Sequence, residues 1–128
     1  VAAVEDCGYT NADELIAMQM ENSFGLPAFP AMNLLNWRCE KVAGFNLHDA
    51  APIDAVRHAR VPILFIHGTK DTLVPPNMAE QLYAAANAPK KELLMIPGAV
   101  HAAASQADQQ TYFRTIRKFV QPYMEEQK

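Results

Sequence analysis

The sequence predicts an α/β fold in three layers, a parallel sheet with helices on both faces. Three observations carry that prediction. Three short apolar runs, Val1–Val4, Pro62–Ile66 and Leu93–Ile96, are continuous and not alternating, as in strands buried on both faces of a parallel sheet. Apolar residues between and after them recur at helical spacing. Strands and helices therefore alternate along the chain, which is the grammar of an α/β layer architecture.

Each run ends in polar or turn residues: Glu5-Asp6, His67-Gly68 and Pro97-Gly98. After the first, Thr10-x-x-Asp13 has the form of a capping box ahead of Leu15, Ile16 and Met20. The first two strands are separated by far more than the dozen or so residues a crossover needs. The surplus carries Phe24, Leu26, Phe29, Met32, Leu34, Leu35 and Trp37, broken by Pro27 and Pro30. We assign residues 11–58 to short helices forming a crossover over one end of the sheet. Its apolar residues either pack on the core, the more economical reading for Met and aromatic side chains, or form a lid that supplies an acyl or aromatic pocket. Pro75-Pro76 starts the next helix, with Met78, Leu82, Tyr83 and Ala86 on one face. Tyr112, Phe113, Ile116, Phe119 and Val120 form the stripe of a final helix, and Glu125 to Lys128 a frayed tail.

Composition narrows the function classes. The chain has 128 residues, half of them hydrophobic and 20% charged, with a net charge of −3. That suits one globular domain with a modest core. It offers no basic tract for nucleic acid and no apolar run long enough to span a bilayer. Cys7 and Cys39 fit neither a zinc spacing nor a disulfide framework, although a single disulfide stays open. Few cysteines and an acidic balance make the cytoplasm the default compartment. The start at Val1, without methionine or a signal-like segment, leads us to expect that the natural N-terminus lies elsewhere.

The residues that carry chemistry lie at strand ends, where open α/β sheets bind ligands. Asp71 follows the second strand and His101 the third, so neighbouring parallel strands bring their loops side by side. A carboxylate that accepts an imidazole Nδ1–H fixes its tautomer and stabilises the imidazolium formed on proton uptake. Such a pair is two thirds of a nucleophilic triad. An Asp in a Gly-containing turn is ordinary turn chemistry by itself, and a lone His after Gly98 could cap a helix. Together, on adjacent strand ends, they point to function.

The segments "VPILFIHGTKDTLVPP", "LLMIPGAVHAAAS" and "VEDCGYT" resemble the last part of an α/β-hydrolase. They are most similar to bacterial serine hydrolases related to acylaminoacyl-peptidase and acyl-CoA thioesterase-like enzymes. The resemblance implies that residues 1–128 form the C-terminal part of a single α/β-hydrolase domain with its last three strands. It also implies chain order Ser, Asp, His, with Asp71 as the acid and His101 as the base. The family's nucleophile sits on a G-x-S-x-G turn upstream of the strand matched by Val1–Val4. Here only Ser23 and Ser105 occur, neither in such a turn, and the associated oxyanion donors are missing too.

Other candidates carry less. Cys7 lacks the preceding Gly of a nucleophile elbow and reads as a small buried thiol. Ser105 reads as a local cap or helix-surface residue. His67 reads as structural, in the manner of the family, and Asp6 as a tie for the "CGYT" turn. His48, Asp49 and His58 read as solvated, and Val74-Pro75 as scaffolding. A metal held by His67, Asp71 and His101 would need a further ligand that the sequence does not supply.

The expected parent is thus a serine hydrolase of esters, thioesters or small amides, taking a small-molecule acyl substrate and needing no cofactor. This chain alone, without the Ser, is expected to be inactive; removing a triad member costs on the order of 10⁶ in turnover. A non-catalytic module that associates with a missing N-terminal half, or with itself through an unpaired edge strand, is the alternative. An upstream Asp nucleophile, as in dehalogenase or epoxide hydrolase chemistry, is a third possibility.

Overall fold

A computed structural model describes residues 1–125. Residues 126–128, the end of the expected tail, lie outside the described residues, and Glu125 belongs to the final helix. Strands β1 (Ala3–Asp6), β2 (Ile63–Gly68) and β3 (Lys91–Ile96) form one parallel sheet in the order β1-β2-β3. Helices α1 (Ala12–Phe24), α2 (Ala28–Ala43) and α3 (Pro52–Arg57) lie between β1 and β2, with a 3-10 turn at Leu47–Asp49. Helix α4 (Pro76–Ala85) joins β2 to β3, and α5 (Ala104–Ala107) and α6 (Gln109–Glu125) follow.

The central strand is buried at all six positions, as its continuous apolar run predicts. Alternate residues face opposite layers. Leu64 and Ile66, with Ile96, pack under Phe119, Ile116 and Tyr112 of α6. Ile63 and Phe65 pack against Leu82 and Ala86, with Ile53 and Val56 of α3. Leu64, Phe65 and Ile66 are wholly excluded from solvent; each such side chain contributes about 1.5–3 kcal/mol. These two clusters are the outer interfaces of the three layers.

Three local expectations are corrected. The first strand begins two residues later than its apolar run, and it alternates between half-buried and exposed, because among the described residues it is an edge strand with only β2 beside it. The cap of α1 is Asn11, not Thr10: Asn11 Oδ1 accepts the amides of Asp13 and Glu14 at 2.8 and 3.3 Å. Thr10 is buried and donates instead to Glu14 Oε2. In α6, Phe113 is exposed while the rest of its stripe packs on the sheet.

The crossover has its own small core, Ala12, Met32 and Leu47, with Ile16 and Leu35 packed on it. The core reading fails for most of the apolar residues singled out there. Met32 is buried, whereas Phe24, Leu26, Phe29, Leu34 and Trp37 are all exposed. At the other end of the sheet, Lys91 Nζ donates to the carbonyls of Tyr83 and Ala86 at 2.8 and 3.0 Å, satisfying acceptors that the end of α4 leaves unpaired. No helix among the described residues is long and apolar enough to cross a membrane.

Candidate active site

The loops after β2 and β3 are tied to each other before any catalytic geometry is considered. Thr69 donates its amide to Ile96 and Lys70 to Ala99, at 3.0 and 2.9 Å, and Gly98 donates to Thr69 Oγ1 at 2.8 Å. The approach is so close that a Cβ on Gly68 would lie 2.3 Å from the Ala99 carbonyl oxygen. Only glycine fits there. Gly98 supplies the turn out of β3 at a φ of 76°.

This spacing brings Asp71 and His101 together. His101 Nδ1 lies 2.8 Å from Asp71 Oδ2. A carboxylate only accepts, so Nδ1 is the donor; in the neutral ring this leaves the lone pair on Nε2. The other oxygen, Asp71 Oδ1, accepts the amides of Leu73 and Val74, both at 2.9 Å. The Asp71 side chain is fully buried, while that of His101 is 36% exposed. The acid is therefore fixed in place, and the base reaches solvent.

The remaining sequence candidates separate cleanly. His67 is buried and donates Nε2–H to the Val74 carbonyl at 2.9 Å; the same nitrogen is 3.3 Å from Asp71 Oδ2. It braces the acid loop, as expected of a structural His. Ser105 lies inside α5, and Ser23, exposed near the end of α1, lines the same cleft as His101; neither is in an elbow. His58 caps α3, its ring bonded to the Asp54 carbonyl. His48 is exposed but pairs with Asp13, so it is not merely solvated. Asp6 does tie the turn after β1: it accepts from Cys7 Sγ at 3.1 Å and from the Tyr112 hydroxyl at 2.8 Å.

Cys7 is closer to the pair than its sequence context suggests. Its sulfur and ligand atoms of Asp71 and His101 lie within 4.8 Å of one another. Burial first, then the hydrogen bond to Asp6, pushes the Cys7 thiol up to about 12. It stays protonated at neutral pH, a poor metal ligand and a poor nucleophile. The metal set considered from sequence is thus not the one assembled, since Cys7 takes the place of His67.

One contact had no sequence signal. Gln19 Nε2 donates to the carbonyls of Thr72 and Leu73, at 3.0 and 2.6 Å, and fastens α1 to the acid loop. Between these two elements runs a cleft of about 650 Å³. Leu15, Ile16, Gln19, Met20, Ser23 and Phe24 line it from α1, Leu73 and Val74 from the acid loop, and His101 and Cys7 also border it. Apart from His101 its lining has no ionisable group but a protonated thiol and a phenol, Tyr9.

Comparison with known proteins follows the same lines. Residues 10–108 match a family model described as serine aminopeptidase, S33. The uncharacterised protein YqkD of Bacillus subtilis is 25% identical over 117 residues, covering 91% of this chain and 38% of its own length. The α/β hydrolase domain-containing protein WAV2 of Arabidopsis thaliana is 27% identical over 131 residues, covering 92% and 42%. The chain thus spans about two-fifths of the curated relatives it matches. Among solved structures, the esterase Pf2001 of Pyrococcus furiosus superposes with a TM-score of 0.65 at 19% identity, over 95% of this chain and 44% of that one. The putative non-heme bromoperoxidase BpoC of Mycobacterium tuberculosis gives 0.57 at 17%, over 95% and 58%. At these identities the likeness is one of fold.

Proposed function

The chain belongs to the serine aminopeptidase, S33, family of α/β-hydrolases, and from that premise we propose that it carries the acid and base of a serine hydrolase, Asp71 and His101. The observation that carries this reading is the 2.8 Å contact between His101 Nδ1 and a buried Asp71 whose second oxygen is held by two amides. The nucleophilic serine belongs to the part of the whole protein that this chain does not include. That serine attacks a carbonyl carbon, and His101 Nε2 takes its proton. The tetrahedral intermediate collapses as His101 returns the proton to the leaving oxygen, sulfur or nitrogen. Asp71 holds the ring and stabilises the imidazolium between the two transfers.

The substrates are esters, thioesters or small amides with an apolar acyl group. The cleft between α1 and the acid loop supports this, because its size and lining suit an uncharged chain beside His101. Residues 11–58 then act as the lid-like insertion. In the whole protein, a fluorophosphonate probe should label one serine, and p-nitrophenyl esters should be hydrolysed faster as the acyl chain lengthens from acetyl. Absence of both labelling and turnover rejects the hydrolase reading.

A second reading, a non-catalytic module acting by association, is favoured by the exposed Phe24, Phe29, Leu34 and Trp37 and by the open edge of β1. It takes over if the whole protein is unlabelled and this chain binds the remaining segment or itself.

A further inference from the structure

Among the described residues, two non-glycine residues adopt the left-handed backbone region, and they touch each other at the strand ends. Cys7 has a φ of 62° at the end of β1, and Ala102 a φ of 55° directly after His101. Non-glycine residues are uncommon there, and such backbone persists only where the surroundings enforce it. A hydrogen bond joins them: the Ala102 amide donates to Cys7 Sγ at 3.2 Å, across 95 residues of sequence.

The sulfur is itself held. Its S–H donates to Asp6 Oδ1, and the Tyr112 hydroxyl of α6 donates to the other oxygen, Oδ2. A thiol can donate one bond and accept another at once only while protonated. Both donors keep their protons at neutral pH, Cys7 and Tyr112 each being pushed up to about 12, chiefly by burial and then by Asp6. The chain of bonds runs from α6, through Asp6 and Cys7, to the backbone next to the base.

We propose that Cys7 is a positioning residue for His101: its sulfur holds the Ala102 amide, and so fixes the turn from which His101 Nδ1 reaches Asp71. Asp71 is anchored by its own loop, through Leu73 and Val74. The loop of His101 is tied to the acid loop ahead of the base, at Gly98 and Ala99, whereas the residue directly after it is held by the Cys7 sulfur. The Cys7 contact thus sets alignment of the base, not binding of substrate.

The inference rests on His101 being the base, and the test separates the two. In the whole protein, Cys7→Ala should lower kcat for an ester by roughly five- to tenfold, the range set by one lost hydrogen bond, with KM nearly unchanged. Cys7→Ser keeps a group that both donates and accepts, and should recover most of that loss. A merely structural thiol would predict the opposite order, since Ala replaces a buried thiol with less polar cost than Ser. Wild-type kcat in Cys7→Ala, or a loss in Cys7→Ser as large as in Cys7→Ala, overturns the proposal. Should Cys7→Ala not fold, Cys7→Gly decides: glycine suits the φ of 62° and removes the same sulfur acceptor, and a wild-type kcat overturns the proposal. His101→Ala is the control. If it retains turnover, the base assignment itself fails; if it is inactive while Cys7→Ala is normal, only the role of Cys7 falls.

Discussion

The strand ends and the helical crossover each join an aspartate to a histidine, and the two pairs are built differently. Asp71 has no exposed side-chain area, spends one oxygen on two backbone amides and offers the other to His101. Asp13 shares its carboxylate between His48 and the Asn36 side-chain amide, and the His48 side chain is 68% exposed. Proximity of the two residue types is common to both. What distinguishes the strand-end pair is an acid immobilised by backbone and a base with one nitrogen committed and the other open to a cleft. The Asp13–His48 pair, its histidine largely in solvent and its acid only 15% exposed, contributes about 1 kcal/mol and has no cleft to orient toward.

Removing each histidine should widen that contrast furthest. In the whole protein, His101→Ala should cut ester turnover by about 10⁶, the cost of losing the base of a triad. His48→Ala should leave it within about twofold, as surface substitutions do. Steady-state ester hydrolysis reads both, and similar losses would break the comparison. The acids come next. Asp71→Asn should lower kcat by about 10⁴, because an amide in place of the carboxylate favours the wrong imidazole tautomer. Asp13→Asn should change unfolding stability by no more than about 1 kcal/mol in a urea titration.

The spacing that creates the first pair can be tested without touching it. Gly68→Ala drives a methyl to 2.3 Å from the Ala99 carbonyl oxygen, so the two loops must part. We expect a loss of about 1–3 kcal/mol in stability by thermal or chemical unfolding, and a value near zero would mean the loops are not held so close.

Glu5 gives a third, smaller contrast, a buried carboxylate. Both its oxygens are buried without a well-formed hydrogen bond among the described residues, and burial pushes its pKa up to about 7 from 4.5; the Gly8 amide alongside opposes this and Asp6 adds to it. Between those values the folded state holds a proton that the unfolded state has released. The contribution of Glu5 to stability therefore declines as pH rises from about 4.5 through about 7. Glu5→Gln should flatten that part of the stability profile, and an unchanged pH slope between pH 5 and pH 8 would contradict it.

How much of this was legible in the sequence depended on whether a signal was local. The run Pro62–Ile66 marks β2 because all its positions are buried, and Pro75-Pro76 marks α4 because proline suits a first helical turn. Asp71 and His101 stood out because each lies in a short strand-end motif. The start of β1 was misplaced because an edge strand needs no continuous apolar run; Asp6 lies in it, exposed, as readily as Val4. The bond of Gln19 to the acid loop, the pair of Asp13 with His48, and the bond from Ala102 to Cys7 span tens of residues each and leave no periodicity behind. The exposed aromatics of the crossover were opaque for another reason: an aromatic side chain has the same spelling in a core and on a surface.

The grip of Lys91 on the end of α4 has a kinetic consequence. Strand β2, helix α4 and strand β3 are consecutive in the chain, so their mutual contacts close short loops, and Lys91 locks the helix to the strand that follows it. Pairing β1 with β2 must first loop out residues 7–62, which is entropically dearer. The β2-α4-β3 crossover unit should therefore be the folding nucleus, carrying the turn of Asp71 and leading directly into that of His101. Pulse-labelled amide exchange during refolding should protect Ile63–Ile66 and Leu93–Ile96 before Ala3–Asp6; simultaneous protection would mean that the sheet condenses in one step.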